Sequence, residues 1–186
     1  MNAQAYNTDN MSKFDDRKFR NMLGVYPTGV TVITASNEEK NVGITANSFS
    51  SLSLDPPLIL WSLIKSSSSY EVFKNASHFA INILAWDQIN ISNKFAKPSN
   101  ITCKFEGLKT IRGLGGCILL PNTSAFIECK NYQIIDAGDH WLFIGEVQNF
   151  QENNRPPLAF YKGKYNITES HPDQINLNEV EKNLFF

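Results

Sequence analysis

Two long stretches of strand-forming sequence, joined by a short turn, constrain the fold of this chain more than any other feature. Residues 124–135 and 140–150 carry aromatic and β-branched side chains, which fit the pleated surface of a strand. Between them, residues 136–139 read Asp-Ala-Gly-Asp, a composition typical of a tight hairpin. The pattern predicts a long antiparallel ribbon on which further strands can be added.

Shorter strands are predicted along the rest of the chain. Asp55-Pro56-Pro57 interrupts regular structure, and the continuous apolar run that follows is typical of a buried strand. A last hairpin is expected to turn at Lys162-Gly163. The predicted strands are 30–35, 42–46, 58–64, 78–84 and the two arms within 158–165, with residues 37–41 as the turn between the first two.

The first predicted helix follows Ser12, which forms a capping-box pattern with Asp15. Its apolar residues Phe19, Met22 and Leu23 fall on one face. The helix is expected to end near Gly24, ahead of Pro27.

Two further helices are predicted, one over 70–75 and one that Asp87 caps and that runs to about Ala96. Residues 97–123 carry four glycines and are expected to form loops and short strands. Many short strands with few helices favour a closed antiparallel barrel.

The composition limits the function classes. The chain has 186 residues, and its 17 basic and 18 acidic residues give a net charge of −1, so neither a nucleic-acid partner nor a membrane partner is expected. The first ten residues do not resemble a secretory signal. Three cysteines without a CxxC pair favour reduced thiols, so we expect a cytoplasmic protein. The predicted organisation is a disordered segment 1–11, one domain 12–168 and a tail 169–186.

The stretch from Gly43 to Pro57 reads GITANSFSSLSLDPP and is rich in small residues, hydroxyls and one amide. Gly43, Ala46 and Ser48 would let the backbone approach a ligand, and the neutral donors and acceptors suit a planar heterocycle or phosphate oxygens. Apart from Asp55 it holds no acid, base or thiol. The alternative is a pair of Ser/Thr-rich strands with no ligand.

Several common catalytic patterns are absent from the sequence. The glycines at 113–116 have the wrong spacing for a dinucleotide-binding loop, and no Gly-x-Ser-x-Gly elbow occurs. His78, His140 and His171 are too scattered to predict a metal site. His140 stands at the predicted 136–139 turn, where an imidazole could orient an amide or stabilise developing charge; the alternative is an ordinary surface histidine.

Five segments occur in an order that resembles the flavin reductase-like family, the NAD(P)H:flavin oxidoreductases that serve two-component flavin monooxygenases. The resemblance covers roughly residues 14–165. The segments are Tyr26 to Thr34, Gly43 to Pro57, Asn82-Ile-Leu84 with Gln88, Lys94-Phe-Ala96, and Gly138-Asp-His140 through Gly145-Glu-Val147.

The resemblance implies a mainly β fold, the FMN-binding split barrel, with Greek-key antiparallel strands and a few short peripheral helices. It also implies a set of cofactor-binding residues: Thr45, Ala46, Asn47 and Ser48 along the flavin ring and ribityl chain, Ser62, Leu63 and Ile64 at the ring edge, Lys65 to Ser69 as the phosphate loop with Ser67 as donor, and Phe95 with Ala96 beside the flavin. By the same resemblance, His140 would meet the nicotinamide, with Thr28 near the same face.

Two positions depart from the family pattern. Ser68 stands where family members often carry a basic residue, which either leaves Lys65, Lys94 or Lys97 to meet the phosphate or makes flavin binding looser. Trp141 stands where a smaller residue is expected, and we expect it to narrow the nicotinamide pocket.

By resemblance the function is transfer of hydride from NADH or NADPH to FMN or FAD, with the reduced flavin supplied to a partner monooxygenase. The alternatives are an FMN-binding electron carrier without free-flavin turnover and a barrel that has lost its flavin. The apolar residues 184–186 and several aromatic residues further predict a homodimer.

Overall fold

The computed structural model describes residues 14–37, 40–97 and 104–171, and within them it has three helices and twelve strands. The helices are α1 (Asp16–Leu23), α2 (Tyr70–Asn75) and α3 (Ile89–Ala96). The strands are β1 (Thr28–Gly29), β2 (Thr31–Ser36), β3 (Asn41–Ala46), β4 (Ser50–Leu54), β5 (Pro57–Ile64), β6 (His78–Ile83), β7 (Ile111–Arg112), β8 (Ile118–Leu119), β9 (Ala125–Ala137), β10 (His140–Glu152), β11 (Leu158–Tyr161) and β12 (Lys164–Ile167). The mainly β prediction is confirmed.

The long ribbon predicted from the sequence is the centre of the main sheet. β9 and β10 pair antiparallel with Ala137 opposite His140, so that Gly138 and Asp139 form a two-residue turn. Gly138 has a φ of 66°, a conformation that glycine adopts without strain. The seven strands follow the order β3-β2-β6-β9-β10-β5-β4, and all of their pairings are antiparallel.

A second sheet has the order β1-β11-β12. Its β11–β12 hairpin turns at Lys162 and Gly163, which have φ values of 48° and 77°, as predicted. The segment 104–121 contributes the short pair β7–β8 and one 3-10 turn, Leu114–Gly116.

The main sheet is split at its edges. Within the described residues no ladder pairs the edge strands β3 and β4, and residues 47–49 lead directly from one to the other. Ser48 braces this opening, because its hydroxyl donates to the Ser62 carbonyl at 3.2 Å and accepts from the Ser62 amide at 3.0 Å. The split therefore places the end of β3 beside the end of β5.

An aromatic cluster fills the main core. Trp61 stacks on Phe143 at 4.5 Å between ring centroids and meets Phe73 and Phe79 edge-on. Burial along β5 alternates, with only Ile59, Trp61 and Leu63 buried, so the prediction of a continuously buried strand is wrong. The reason is that β5 belongs to an antiparallel sheet and turns every second side chain away from the core.

A second core lies under α3, where Phe95 packs with Val32, Leu84 and Leu158. Gly43 belongs to this packing. A Cβ atom on Gly43 would lie 2.5 Å from the Phe95 ring, so the glycine makes room for Phe95. The prediction that Gly43 lets a ligand approach is therefore wrong.

The predicted helix caps also need correction. Asp15 caps α1, because its carboxylate accepts the amides of Arg17 and Lys18 at 3.0 Å, whereas Ser12 lies outside the described residues. Asp87 does not cap α3; its carboxylate accepts from Arg155 at 2.6 Å. The cap position is Gln88, whose side chain instead accepts the Ala85 amide.

Helix α1 buries none of its residues, and Phe19, Met22 and Leu23 are all exposed. No helix among the described ranges has the length and apolar character that crossing a membrane requires. The predicted disordered segment 1–11 and the apolar end at 184–186 lie outside the described residues.

Candidate functional site

The split edge opens into a cleft of about 560 Å³, which we call the main cleft. Its walls are the end of β3 with the residues that follow, the end of β5, the 66–69 loop and the end of α3. Eleven predicted site residues line it: Thr45, Ala46, Asn47, Ser48, Ser62, Leu63, Ile64, Ser67, Phe95, Ala96 and His140. Residues separated by almost a hundred positions in sequence thus meet at one opening.

The Gly43–Pro57 stretch divides at this cleft. Residues 45–48 line it, whereas Ser51 and Ser53 belong to β4 and line a different, apolar cleft. Ser50 and Ser51 are exposed. The prediction that the hydroxyls after Ser48 serve the same ligand is therefore wrong, because β4 runs away from the opening along β5.

Two polar side chains of the 45–48 segment already have protein partners. The Thr45 hydroxyl donates to the Ser92 carbonyl of α3 at 2.6 Å, and the Ser48 hydroxyl braces Ser62. Asn47 is exposed, and its amide makes no side-chain hydrogen bond within the described residues. Of the three, Asn47 has the most hydrogen-bonding capacity left for a ligand.

A loop of four serines forms one wall of the main cleft. The Ser67 amide donates to the Ile64 carbonyl at 3.0 Å, and the Ser67 hydroxyl accepts the Ser69 amide at 3.3 Å. Accepting that bond leaves the Ser67 hydroxyl proton free to donate. The resemblance predicts the 65–69 segment as the phosphate loop with Ser67 as donor, and Ser66, Ser68 and Ser69 line the same wall as Ser67.

Lys65 does not line the main cleft. It pairs with the Asp136 carboxylate and lies over the Trp141 ring, 5.0 Å from its centroid. Lys94 is also engaged elsewhere, since its ammonium donates to the Glu106 carbonyl at 2.7 Å. Of the three lysines proposed as substitutes for the missing basic residue, only Lys97 lines the cleft.

Lys104 is a cleft residue that sequence reasoning missed. It is buried, and its ammonium donates to the Phe95 carbonyl at 2.9 Å and the Gly43 carbonyl at 3.4 Å. Burial lowers the pKa of Lys104 from its ordinary value. No carboxylate pairs with it among the described residues, so its charge is left for an anionic ligand. No motif marks this position, because tertiary contacts bring its loop to the cleft, among them the packing of Phe105 on Phe95.

A second groove, of about 900 Å³, adjoins the main cleft and shares Asn47 and His140 with it. We call it the side groove. Its other walls come from α1, β1 and the β11–β12 turn. Thr28 lines it, and the buried Thr28 hydroxyl has no hydrogen-bond partner in the described structure. An unpartnered buried hydroxyl at the wall of a groove is expected to bond to a ligand there.

His140 stands between the two cavities at the start of β10. Its Nδ1 lies 2.7 Å from the Asp139 carboxylate. This hydrogen bond, followed by the nearby imidazole charge, lowers the pKa of Asp139. With Nδ1 held by this carboxylate, Nε2 is the ring nitrogen left to bond to a ligand.

Trp141, the next residue, points away from both cavities. It stacks on Tyr70 at 4.8 Å, because successive side chains of a strand alternate between faces. The expectation that Trp141 narrows the nicotinamide pocket is wrong.

Thiol chemistry is not available from the described cysteines. Cys117 and Cys129 are fully buried, and desolvation raises the pKa of each to about 12. Both stay protonated and unreactive at neutral pH. Over the described ranges, no three His, Cys, Asp or Glu side chains cluster closely enough to hold a metal ion.

The sheet is split beside a cleft that has serines and two lysines in its walls. This arrangement is typical of a barrel protein that binds a nucleotide. The family model of the flavin reductase like domain matches residues 22–169 of the sequence. The chain therefore belongs to the flavin reductase-like family. Its fold is the split barrel of that family.

Two curated relatives illustrate the similarity. The reductase component of a flavin-dependent trigonelline monooxygenase from Acinetobacter baylyi is 45% identical over 150 residues, which are 80% of this chain and 48% of the relative. The FMN reductase (NADH) SmoA from Agrobacterium fabrum is 42% identical, over 81% of this chain and 85% of that protein. The chain spans about half the length of the first of these relatives.

Two solved structures also resemble this chain. Nitrilotriacetate monooxygenase component B from Mycobacterium thermoresistibile has a TM-score of 0.80 at 34% identity, over 90% of this chain and 96% of that one. Flavin reductase HpaC, solved with NADP+, has a TM-score of 0.75 at 31% identity, over 82% and 97%.

Proposed function

We propose that this protein is an NAD(P)H-dependent flavin reductase that transfers hydride from a nicotinamide to FMN or FAD. The observation that carries the proposal is the pair of adjoining cavities. The main cleft is neutral along 45–48 and lined with serines at 66–69, and the side groove meets it at Asn47 and His140. Two cavities with one shared wall suit two ligands whose rings must touch.

The residues of the main cleft fit a flavin. Leu63, Ile64 and Phe95 offer apolar contact to a ring system, and Asn47 offers an amide to its polar edge. The hydroxyls of 66–69 with Lys97 suit a phosphate. Lys104 brings a buried positive charge, which favours a ligand that becomes anionic on reduction. Family resemblance supports the same assignment for residues 45–48, 62–64, Ser67, Phe95 and Ala96.

A bound flavin would supply the redox chemistry by accepting a hydride from C4 of the nicotinamide at its own N5, which would leave an oxidised nicotinamide and an anionic reduced flavin. The protein has to hold two planar rings in contact and exclude other orientations. His140 Nε2 would bond to the nicotinamide carboxamide, and the unpartnered Thr28 hydroxyl lies along the same groove. No side-chain acid or base is required for the transfer, in agreement with the neutral 45–48 wall.

We further propose that the reduced flavin serves a flavin-dependent monooxygenase, because the relative from Acinetobacter baylyi is the reductase component of such an enzyme. The need for NADH or NADPH supports a cytoplasmic location.

The alternative function is that of an electron carrier that keeps its FMN. Donor oxidation with excess free FMN or FAD separates the two readings, because a reductase continues until the donor is consumed. A carrier would stop after one reduction per protein molecule.

Replacing His140 by alanine is expected to slow flavin reduction while flavin affinity stays within about twofold. Loss of one hydrogen bond to the carboxamide costs about 0.5–1.5 kcal/mol, roughly 2- to 12-fold in donor binding or reduction rate. Stopped-flow reduction with NADH and with NADPH measures it. The matched control is His78→Ala, since His78 bonds to Ser77 and lines neither cavity. Equal rates of flavin reduction in His140→Ala and the wild type would contradict a contact between His140 and the nicotinamide, and His140 would then be an ordinary residue of the hairpin.

We also propose a homodimer, supported by an apolar cleft of about 400 Å³ at the β4–β5 edge. Leu54 and Phe150 line it and are 67% and 73% exposed, a pattern typical of a covered surface. Light scattering at micromolar concentration is expected to give the dimer mass, and Phe150→Lys is expected to shift it toward the monomer. A wild-type monomer that still binds flavin would contradict the proposal.

A further inference from the structure

The side groove carries two cations that hydride transfer itself does not require. Arg20 of α1 and Lys162 of the β11–β12 turn both line it, on walls separate from the one formed by Asn47 and His140. None of the described residues that line the groove is acidic. The groove is therefore a positively charged extension of the place where the nicotinamide is expected.

Neither cation has a carboxylate partner. The ion pairs of the described residues involve Lys18, Lys65, His140 and Arg155, and neither Arg20 nor Lys162 takes part in one. The Lys162 ammonium lies 5.3 Å from the centroid of the Tyr161 ring. Two cations without counter-ions that line one groove favour an anionic ligand there.

The backbone fixes the two cations relative to each other. The Gly24 carbonyl accepts the Lys162 amide at 2.9 Å, and the Gly24 amide donates to the Arg20 carbonyl at 3.1 Å. Because α1 buries none of its own residues, this contact with the turn is one of the features that hold the end of the helix. The same contact holds the backbone of Lys162 against the residue that follows α1.

We propose that Arg20 and Lys162 bind the pyrophosphate of the nicotinamide dinucleotide. The inference rests on the proposed reductase function. A donor whose nicotinamide lies beside His140 carries its pyrophosphate one ribose away, and the groove leads from His140 to the two cations. Charge-assisted bonds from a guanidinium and an ammonium are the usual way in which proteins hold phosphate oxygens. The pyrophosphate is common to NADH and NADPH, so both donors would use the same cations.

The test compares Arg20→Gln, Lys162→Gln and the double variant with the wild type. Calorimetric titration of NAD+ and of NADP+ measures binding without turnover, and steady-state reduction of free FMN gives KM for NADH and NADPH. The double variant is expected to bind each nucleotide roughly 10- to 100-fold more weakly than the wild type. Lys18→Gln and Lys164→Gln are the controls, because they remove the same charge from the same two elements outside the groove.

A donor without phosphate separates this inference from the reductase function. Reduction of FMN by 1-benzyl-1,4-dihydronicotinamide is expected to be the same in the wild type and the double variant. Failure of the wild-type protein to reduce FMN with NADH, with NADPH or with the benzyl donor would contradict the reductase function itself. Unchanged NAD+ and NADH affinity in an active double variant would overturn the inference, and so would a loss confined to NADP+ and NADPH, which would move the cations to the 2′-phosphate.

Discussion

Replacing Lys104 by methionine is expected to weaken flavin binding by roughly 10- to 100-fold, because a charge-assisted interaction with the ligand is lost. Lys104 is buried in the wall of the main cleft, and its bonds to the Phe95 and Gly43 carbonyls leave its charge unpaired by any described carboxylate. Methionine keeps the length of the side chain and removes the charge. Fluorescence titration with FMN and with riboflavin measures the loss with and without a phosphate.

The matched control is Lys94→Met. Lys94 lies ten positions earlier and also donates to a backbone carbonyl, that of Glu106, but it does not line the cleft. Flavin affinity in this variant is expected to stay within about twofold of the wild type. A Lys104→Met protein that melts like the wild type and binds FMN equally well would remove Lys104 from the site.

The lowered pKa of Lys104 adds a pH dependence. A lysine with a depressed pKa loses its charge at a lower pH than an ordinary lysine, so the favourable interaction is present below that pKa and is lost as the pH rises through it. Wild-type flavin affinity is therefore expected to fall in the alkaline range, and the affinity of Lys104→Met is expected to change less.

Replacing Asn82 by alanine is expected to lower the free energy of unfolding by roughly 2–5 kcal/mol, because several buried polar groups lose their partner at once. Asn82 is fully buried. Its amide donates to the Val32 carbonyl at 3.0 Å and the Ile118 carbonyl at 3.3 Å, and its carbonyl accepts the Leu120 amide at 2.8 Å. One side chain on β6 thus ties the β8 segment to the main sheet and bonds to the neighbouring strand β2.

Urea unfolding followed by tryptophan fluorescence measures this loss, with the midpoint expected to fall and the slope to stay constant. The control is Asn166→Ala, which removes an exposed amide whose bond is to the nearby Lys164 carbonyl. That change is expected to cost less than about 0.5 kcal/mol. Equal stability of Asn82→Ala and the wild type would show that the network contributes nothing.

Features carried by local patterns could be predicted from the sequence. The 136–139 and 162–163 turns contain glycines in the conformation that their hairpins need, and the Tyr70–Asn75 helix has the predicted bounds. The resemblance to the family also predicted eleven of the residues that line the main cleft. Asn82 and Gln88 belong to those motifs, yet their side chains bond to backbone groups of the protein, so membership of a motif did not distinguish ligand contacts from internal braces.

Features that depend on distant partners could not be predicted. The position of Lys65 in the loop predicts a contact with the phosphate, but Asp136 and Trp141 hold its side chain outside the main cleft. Lys104 follows no motif, and its place in the cleft depends on the packing of Phe95 against Phe105. Arg20 and Lys162 lie far apart in sequence, and they line one groove because Gly24, at the end of α1, bonds to the β11–β12 turn.

The central claim is that the main cleft holds the flavin and that the side groove leads to it. A crystal structure of the protein with bound FMN tests this most directly. The ring is expected between residues 45–48 and 62–64, with the phosphate against the 66–69 serines and His140 beside the exposed face of the ring. Flavin bound in the apolar cleft of Leu54 and Phe150, or in the pocket beside Arg112, with the main cleft empty, would contradict the account.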